Sequence, residues 1–139
     1  NVVAQSVTVH GGIRTISIPQ FENAMKNMKK IASKNLPGTT ANINFKTSYP
    51  PMEPTKANYA LLDQMEAVNL ALGYGKLEAL DPSKRGAADI SFVAPHVDAS
   101  LAGMGPDGFG GHSENEGLDL LSFPKTTTRA AILIYRLTR

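Results

Sequence analysis

Three histidines, His10, His96 and His112, are the side chains here best suited to hold a metal or move a proton near neutral pH. His112 has the most unusual surroundings. It lies inside Gly105–Asp119, where five glycines and a proline fall within fifteen residues. Such a run forms neither a helix nor a central strand, so it reads as a tight, shaped loop. Gly110 and Gly111 before the histidine let backbone come close to a ligand, and the imidazole offers a neutral nitrogen donor. A histidine in a polar loop is also commonly just exposed, and local spacing leaves both roles open. Glu114 and Glu116 could join His112 around a metal. A catalytic zinc, however, needs about three protein ligands and an open position, and no second cluster is spaced to supply them. Ser113 is not read as a nucleophile, because no nucleophile elbow precedes it. Pro95-His96-Val97-Asp98 has the H-x-D spacing of a metal pair, but its place between a helix and a buried strand favours a turn. His10 and Arg14 fall on one face of a predicted strand, two pleats apart. They suit a carboxylate-binding surface or, the favoured local reading, a solvated face.

The elements that must position these residues follow from hydrophobic periodicity. Val2 to Ser17 is rich in β-branched residues and predicts a long strand, interrupted at Gly11-Gly12. Ser17 and Gln20 have capping-box spacing, with Pro19 in the first turn, so a helix starts there. Phe21, Ala24, Met25, Met28, Ile31 and Ala32 form its apolar stripe. Leu36-Pro37-Gly38 is expected to end it. Ala41, Ile43 and Phe45 alternate with polar residues as a half-buried strand does. Pro50, Pro51 and Pro54 mark the one linker.

Beyond the linker, Thr55 caps a helix carrying Tyr59, Leu61, Leu62, Met65, Val68 and Leu72, stopped by Gly73 and Gly75. Leu77–Leu80 is a short strand candidate. The loop Asp81–Asp89 leads into a helical run, Ile90 to Ala94. Its N-terminus favours an anion, or Asp89 serves there as cap or first-turn acid. Ala99–Met104 reads as a short buried strand. Asp119 or Ser122 starts the last helix, whose segment Ala130–Leu137 is apolar nearly all round and so expected to be deeply packed. The alternation predicts an α/β layer over residues 49–139.

Composition excludes several classes. A net charge of +2 and a pI near 8.9 are too mild for a nucleic-acid protein, and no arginine stripe interleaves with aromatics. No cysteine is present, so there is neither a disulfide framework nor a thiolate metal site. No apolar run approaches the ~20 residues of a membrane span. At 42% apolar content the chain reads as an ordinary soluble one, with no compartment marked. It opens on Asn1 without a methionine or signal-like segment, as a processed chain or part of a longer one would.

Taken in order, the motifs resemble the C-terminal third of the two-zinc aminoacylase/carboxypeptidase family, which includes glutamate carboxypeptidase and succinyl-diaminopimelate desuccinylase. Asn1-Val2-Val3-Ala4 resembles that family's Asn-Val-Ile-Pro. Gly12-Ile13-Arg14 falls where the family has Asp-Val-Arg, and Gly86-Ala87-Ala88-Asp89 where it has Gly-Gly-Thr-Asp or Gly-Thr-Ser-Asp. Gly108-Phe109-Gly110-Gly111-His112-Ser113 is similar to its Gly-Phe-Gly-Tyr-His-Ser loop. The chain departs from the family at Ala87 and Ala88, which lack a hydroxyl many relatives place there. Tyr49 stands where glutamate carboxypeptidase has an arginine, so polyglutamate specificity does not carry over.

The resemblance implies an α/β fragment of a metallopeptidase. Residues 1–48 would be the last strand-helix-strand of a lid (dimerisation) domain, and 49–139 the C-terminal part of the catalytic domain. It implies hydrolysis of an amide bond beside a free carboxylate in small peptides or N-acyl amino acids, with two zinc ions and a homodimer formed through the lid. His112 would be a zinc ligand. Asn1 and Arg14 would reach the substrate from the lid, and Gly110 would leave room for it. The family's His-x-Asp motif, bridging aspartate and Glu-Glu pair would all precede Asn1, so this chain alone is expected to bind zinc weakly and to be inactive. His96 and Asp98 are not metal ligands in that correspondence. The rival expectation is a non-catalytic binding or scaffold module that kept the fold and lost the metal centre.

Overall fold

The computed structural model describes residues 2–84, 86 and 88–139. Asn1, Arg85 and Ala87 lie outside that set, and with them the substrate contact expected of Asn1. The chain divides into two compact units, Asn1–Glu53 and Pro54–Arg139. The boundary falls at the last proline of the linker, five residues beyond the 48/49 boundary expected from sequence.

The first unit is built on α1, Ile18–Ala32. Ser17 is extended (φ −138°, ψ 159°), and its hydroxyl accepts the Gln20 N–H at 3.3 Å. The Gln20 side chain reaches back to accept from the Ile16 N–H at 2.8 Å. These are the two halves of a capping box, with the return bond shifted one residue outward. The helix stops at Ala32, before Leu36-Pro37-Gly38, which instead makes a separate turn. There Thr39 N–H donates to the Leu36 carbonyl at 3.0 Å, and Gly38 has φ +77°. Ile43 and Phe45 are half-buried while Asn42, Asn44 and Lys46 are exposed, the alternation expected of a strand. The Lys29 ammonium lies 5.8 Å from the Phe45 ring centroid. At the end of the unit, the Glu53 carboxylate accepts from Ile18 N–H at 3.0 Å.

The strands predicted at 2–17 and 41–46 form no ladder among the described residues. Val2 is 96% exposed, and Val3, Val7 and Val9 are open to solvent with it. β-branched composition suits a strand, but a ladder needs a neighbour to take its N–H and C=O groups, and this unit supplies none.

In the second unit α2, Lys56–Ala71, starts on Thr55, whose hydroxyl accepts from Asn58 N–H at 3.1 Å. It ends in a Schellman motif: Tyr74 N–H reaches the Asn69 carbonyl and Gly73 N–H the Leu70 carbonyl, each at 3.0 Å. Gly73 takes the φ of +73° that this closure requires. Beyond it lie α3, Ile90–Val93, and a single 3₁₀ turn, Ala94–His96. A two-stranded antiparallel hairpin follows, β1 (Gly108–Phe109) and β2 (Gly117–Leu118), with Gly108 opposite Leu118 and Phe109 opposite Gly117. The last element is α4, Ser122–Leu137.

The core sits where α4 packs on α2. Met65 and Val68 from α2 and Leu133 from α4 are buried, with Leu62, Leu72, Leu77, Leu101, Met104 and Ile132 around them. The predicted strands 77–80 and 99–104 contribute Leu77, Leu101 and Met104 to the core and form no ladder among the described residues. The second is tied down by Ser100 N–H donating to the Asn58 side-chain oxygen at 2.8 Å. The deep packing expected all round α4 is not observed: Leu133 is buried, while Ile134 is 61% exposed and Tyr135 and Leu137 are also open. Only one face of the helix meets α2. No helix among the described residues is long and apolar enough to cross a membrane.

Candidate functional site

The glycine-rich stretch becomes a hairpin whose tip carries His112. Its base is fastened to the start of α4. The buried Ser122 hydroxyl accepts from Asp107 N–H at 2.8 Å and donates to the Asp119 carbonyl at 2.7 Å. Asp119 N–H in turn donates to the Asp107 carbonyl at 2.9 Å. The loop is therefore rooted in the helix that carries the core residue Leu133, a rigid support for a displayed side chain.

Glycine is required at two points of the hairpin. A Cβ on Gly117 would run into the Phe109 ring, and one on Gly110 would lie 2.7 Å from the Asn115 carbonyl oxygen. Gly110 also has φ +63°. The space beside Gly110, expected from the resemblance to admit substrate, is taken on this side by the Asn115 carbonyl.

Around the tip, Ser113 N–H and hydroxyl both donate to the Gly110 carbonyl, at 3.1 and 2.7 Å. Its oxygen accepts from Asn115 N–H at 3.2 Å. With the hydroxyl committed to the turn, Ser113 is no poised nucleophile. His112 has φ +66°, the one positive φ outside glycine among the described residues. Its N–H donates to a Glu116 carboxylate oxygen at 3.2 Å. The imidazole is exposed and makes no hydrogen bond to a described residue.

The other sequence candidates are dispersed. Arg14 and His10 are exposed in the first unit. His96 closes the 3₁₀ turn and Asp98 lies in the bend after it, both exposed, so H-x-D here is a turn. Asp89 stands at the N-cap position of the four-residue α3 and makes no side-chain cap bond. In the loop before it, the Ser83 hydroxyl and N–H donate to the Asp81 carboxylate at 2.7 and 2.8 Å and hold that group below the ordinary aspartate range. The stabilisation is in place above the ordinary aspartate pKa and is lost as pH falls through the lowered value.

An exposed imidazole is a sound zinc donor, but zinc takes about three protein ligands even where one position is left open. Among the described residues no three His, Cys, Asp or Glu side chains come together to hold a metal.

Two groups went unrecognised in the sequence. The Glu116 carboxylate, grouped there with His112 as a possible co-ligand, serves the His112 backbone instead. Asn69, 2% exposed, donates to the Gly75 carbonyl at 2.9 Å and accepts from Arg129 at 3.4 Å. A polar residue within an apolar helical period was the one available hint. Comparison with protein-family models, curated proteins and solved structures gives no match to this chain.

Proposed function

We propose that the chain is the C-terminal portion of a zinc-dependent amidohydrolase or exopeptidase of α/β architecture. It acts on an amide bond beside a free carboxylate in small peptides or N-acyl amino acids, and pairs as a homodimer through its lid. The observation that carries this reading is His112: an uncommitted imidazole raised on a glycine hairpin rooted in a core helix. The ordered motifs from Asn1 through Arg14 and Asp89 to the Gly-Phe-Gly-Gly-His-Ser loop support it. His112 contributes one zinc donor, and the remaining ligands and the proton-shuttling glutamate come from polypeptide outside these residues. Arg14 supplies a planar, always-charged fork that fits the substrate carboxylate two oxygens at a time.

Arg14 gives the first test. A hydrogen-bonded contact to a charged group contributes about 1.5–3 kcal/mol, roughly ten- to a hundredfold in affinity. In the full-length protein, Arg14→Ala is expected to raise KM for an N-acyl amino acid by that factor, with kcat changed little. The corresponding substrate amide, which has no carboxylate, is expected to be indifferent to the substitution. An unchanged KM for the acid would remove Arg14 from the substrate site.

A further inference from the structure

The tip of the hairpin holds its histidine in a backbone conformation that L-residues avoid, so something must keep it there. The hairpin closure places Gly117 against Phe109, and Ser113 N–H on the Gly110 carbonyl at 3.1 Å closes a four-residue turn with His112 as its third residue. Among the described residues, the one hydrogen bond that His112 itself makes is from its N–H, which donates to Glu116. Glu116 is positioned for this by the same turn, since its N–H donates to the Ser113 carbonyl at 3.1 Å. A carboxylate acceptor strengthens such a bond through its charge. We infer that Glu116 is a positioning residue: its carboxylate, acting with the Gly110–Ser113 turn, clamps the His112 backbone in the left-handed conformation and so fixes the direction in which the imidazole is displayed. The pairing also redefines the acidic residues of the loop, because the Glu116 oxygen aimed at residue 112 is engaged by main chain and is not a second donor beside the imidazole.

That the displayed imidazole binds metal rests on the function proposed above; the clamp does not. The test is amide hydrogen exchange in full-length protein labelled with ¹⁵N-histidine, the His112 signal being the one lost in His112→Gln. Glu116→Ala is expected to speed His112 exchange about tenfold or more, as loss of one charge-assisted bond requires. Glu116→Gln keeps an acceptor oxygen without the charge and is expected to fall between wild type and Glu116→Ala. The His10 and His96 signals are expected not to move in either variant. Unchanged His112 exchange in Glu116→Ala would overturn the clamp, as would equal acceleration at His10, His96 and His112, which marks general unfolding. Zinc content measured on the same proteins separates the two ideas. Faster exchange in Glu116→Ala with zinc content unaffected by His112→Gln upholds the clamp and removes the metal role of His112.

Discussion

Gly110 and His112 share a left-handed backbone, with φ of +63° and +66°, but reach it at different cost. For glycine the conformation is free of Cβ strain, and the missing side chain makes room for the Asn115 carbonyl. For histidine it costs about 1–2 kcal/mol. Two opposite outcomes are therefore expected by chemical denaturation. Gly110→Ala destabilises the chain by about 1–3 kcal/mol, whereas His112→Gly is neutral or stabilises it by up to about 1 kcal/mol while deleting the imidazole. A clear loss of stability in His112→Gly would show that the backbone there is not strained. The shaped loop was legible because glycine and proline punctuate sequence strongly. The partner of Glu116 was not. Spacing places two carboxylates near His112, and only the turn geometry directs one of them to the main chain.

At the scale of elements, the helices were readable and the strands were not. The Ser17, Gln20 and Thr55 caps are local: each bond spans three or four residues, so the residues that make it are neighbours in the sequence. A strand is stabilised by a partner that can lie anywhere in the polypeptide, and among the described residues Val2–Ser17 has the composition without the partner. The last helix shows the same limit. Its apolar residues run nearly all round, yet burial follows only the face that meets α2. In this chain Leu133→Ala is expected to cost about 2–5 kcal/mol, while Ile134→Ala, one residue on, changes stability by no more than about 0.5 kcal/mol. Urea unfolding of the two variants checks this, and equal losses would mean that α4 is covered on both faces.

On the scale of the whole molecule, the two compact units divide the proposed work. Arg14, which would meet a carboxylate, belongs to the first, and His112, which would meet a metal, to the second. The split into units falls within the proline cluster, at Glu53–Pro54. The proposed metal centre was not legible as a constellation, because the reading gives it a single histidine here and every other donor would come from elsewhere. The most direct measurement is the zinc content of full-length protein, wild type against His112→Ala, with hydrolysis of an N-acyl amino acid followed in parallel. The proposed function predicts two zinc ions per protomer in the wild type. It predicts loss of at least one in the variant, with kcat/KM down by about a hundredfold or more. Equal zinc content and equal rates in both proteins would contradict it, and a wild type with neither metal nor activity would leave a non-catalytic scaffold in its place.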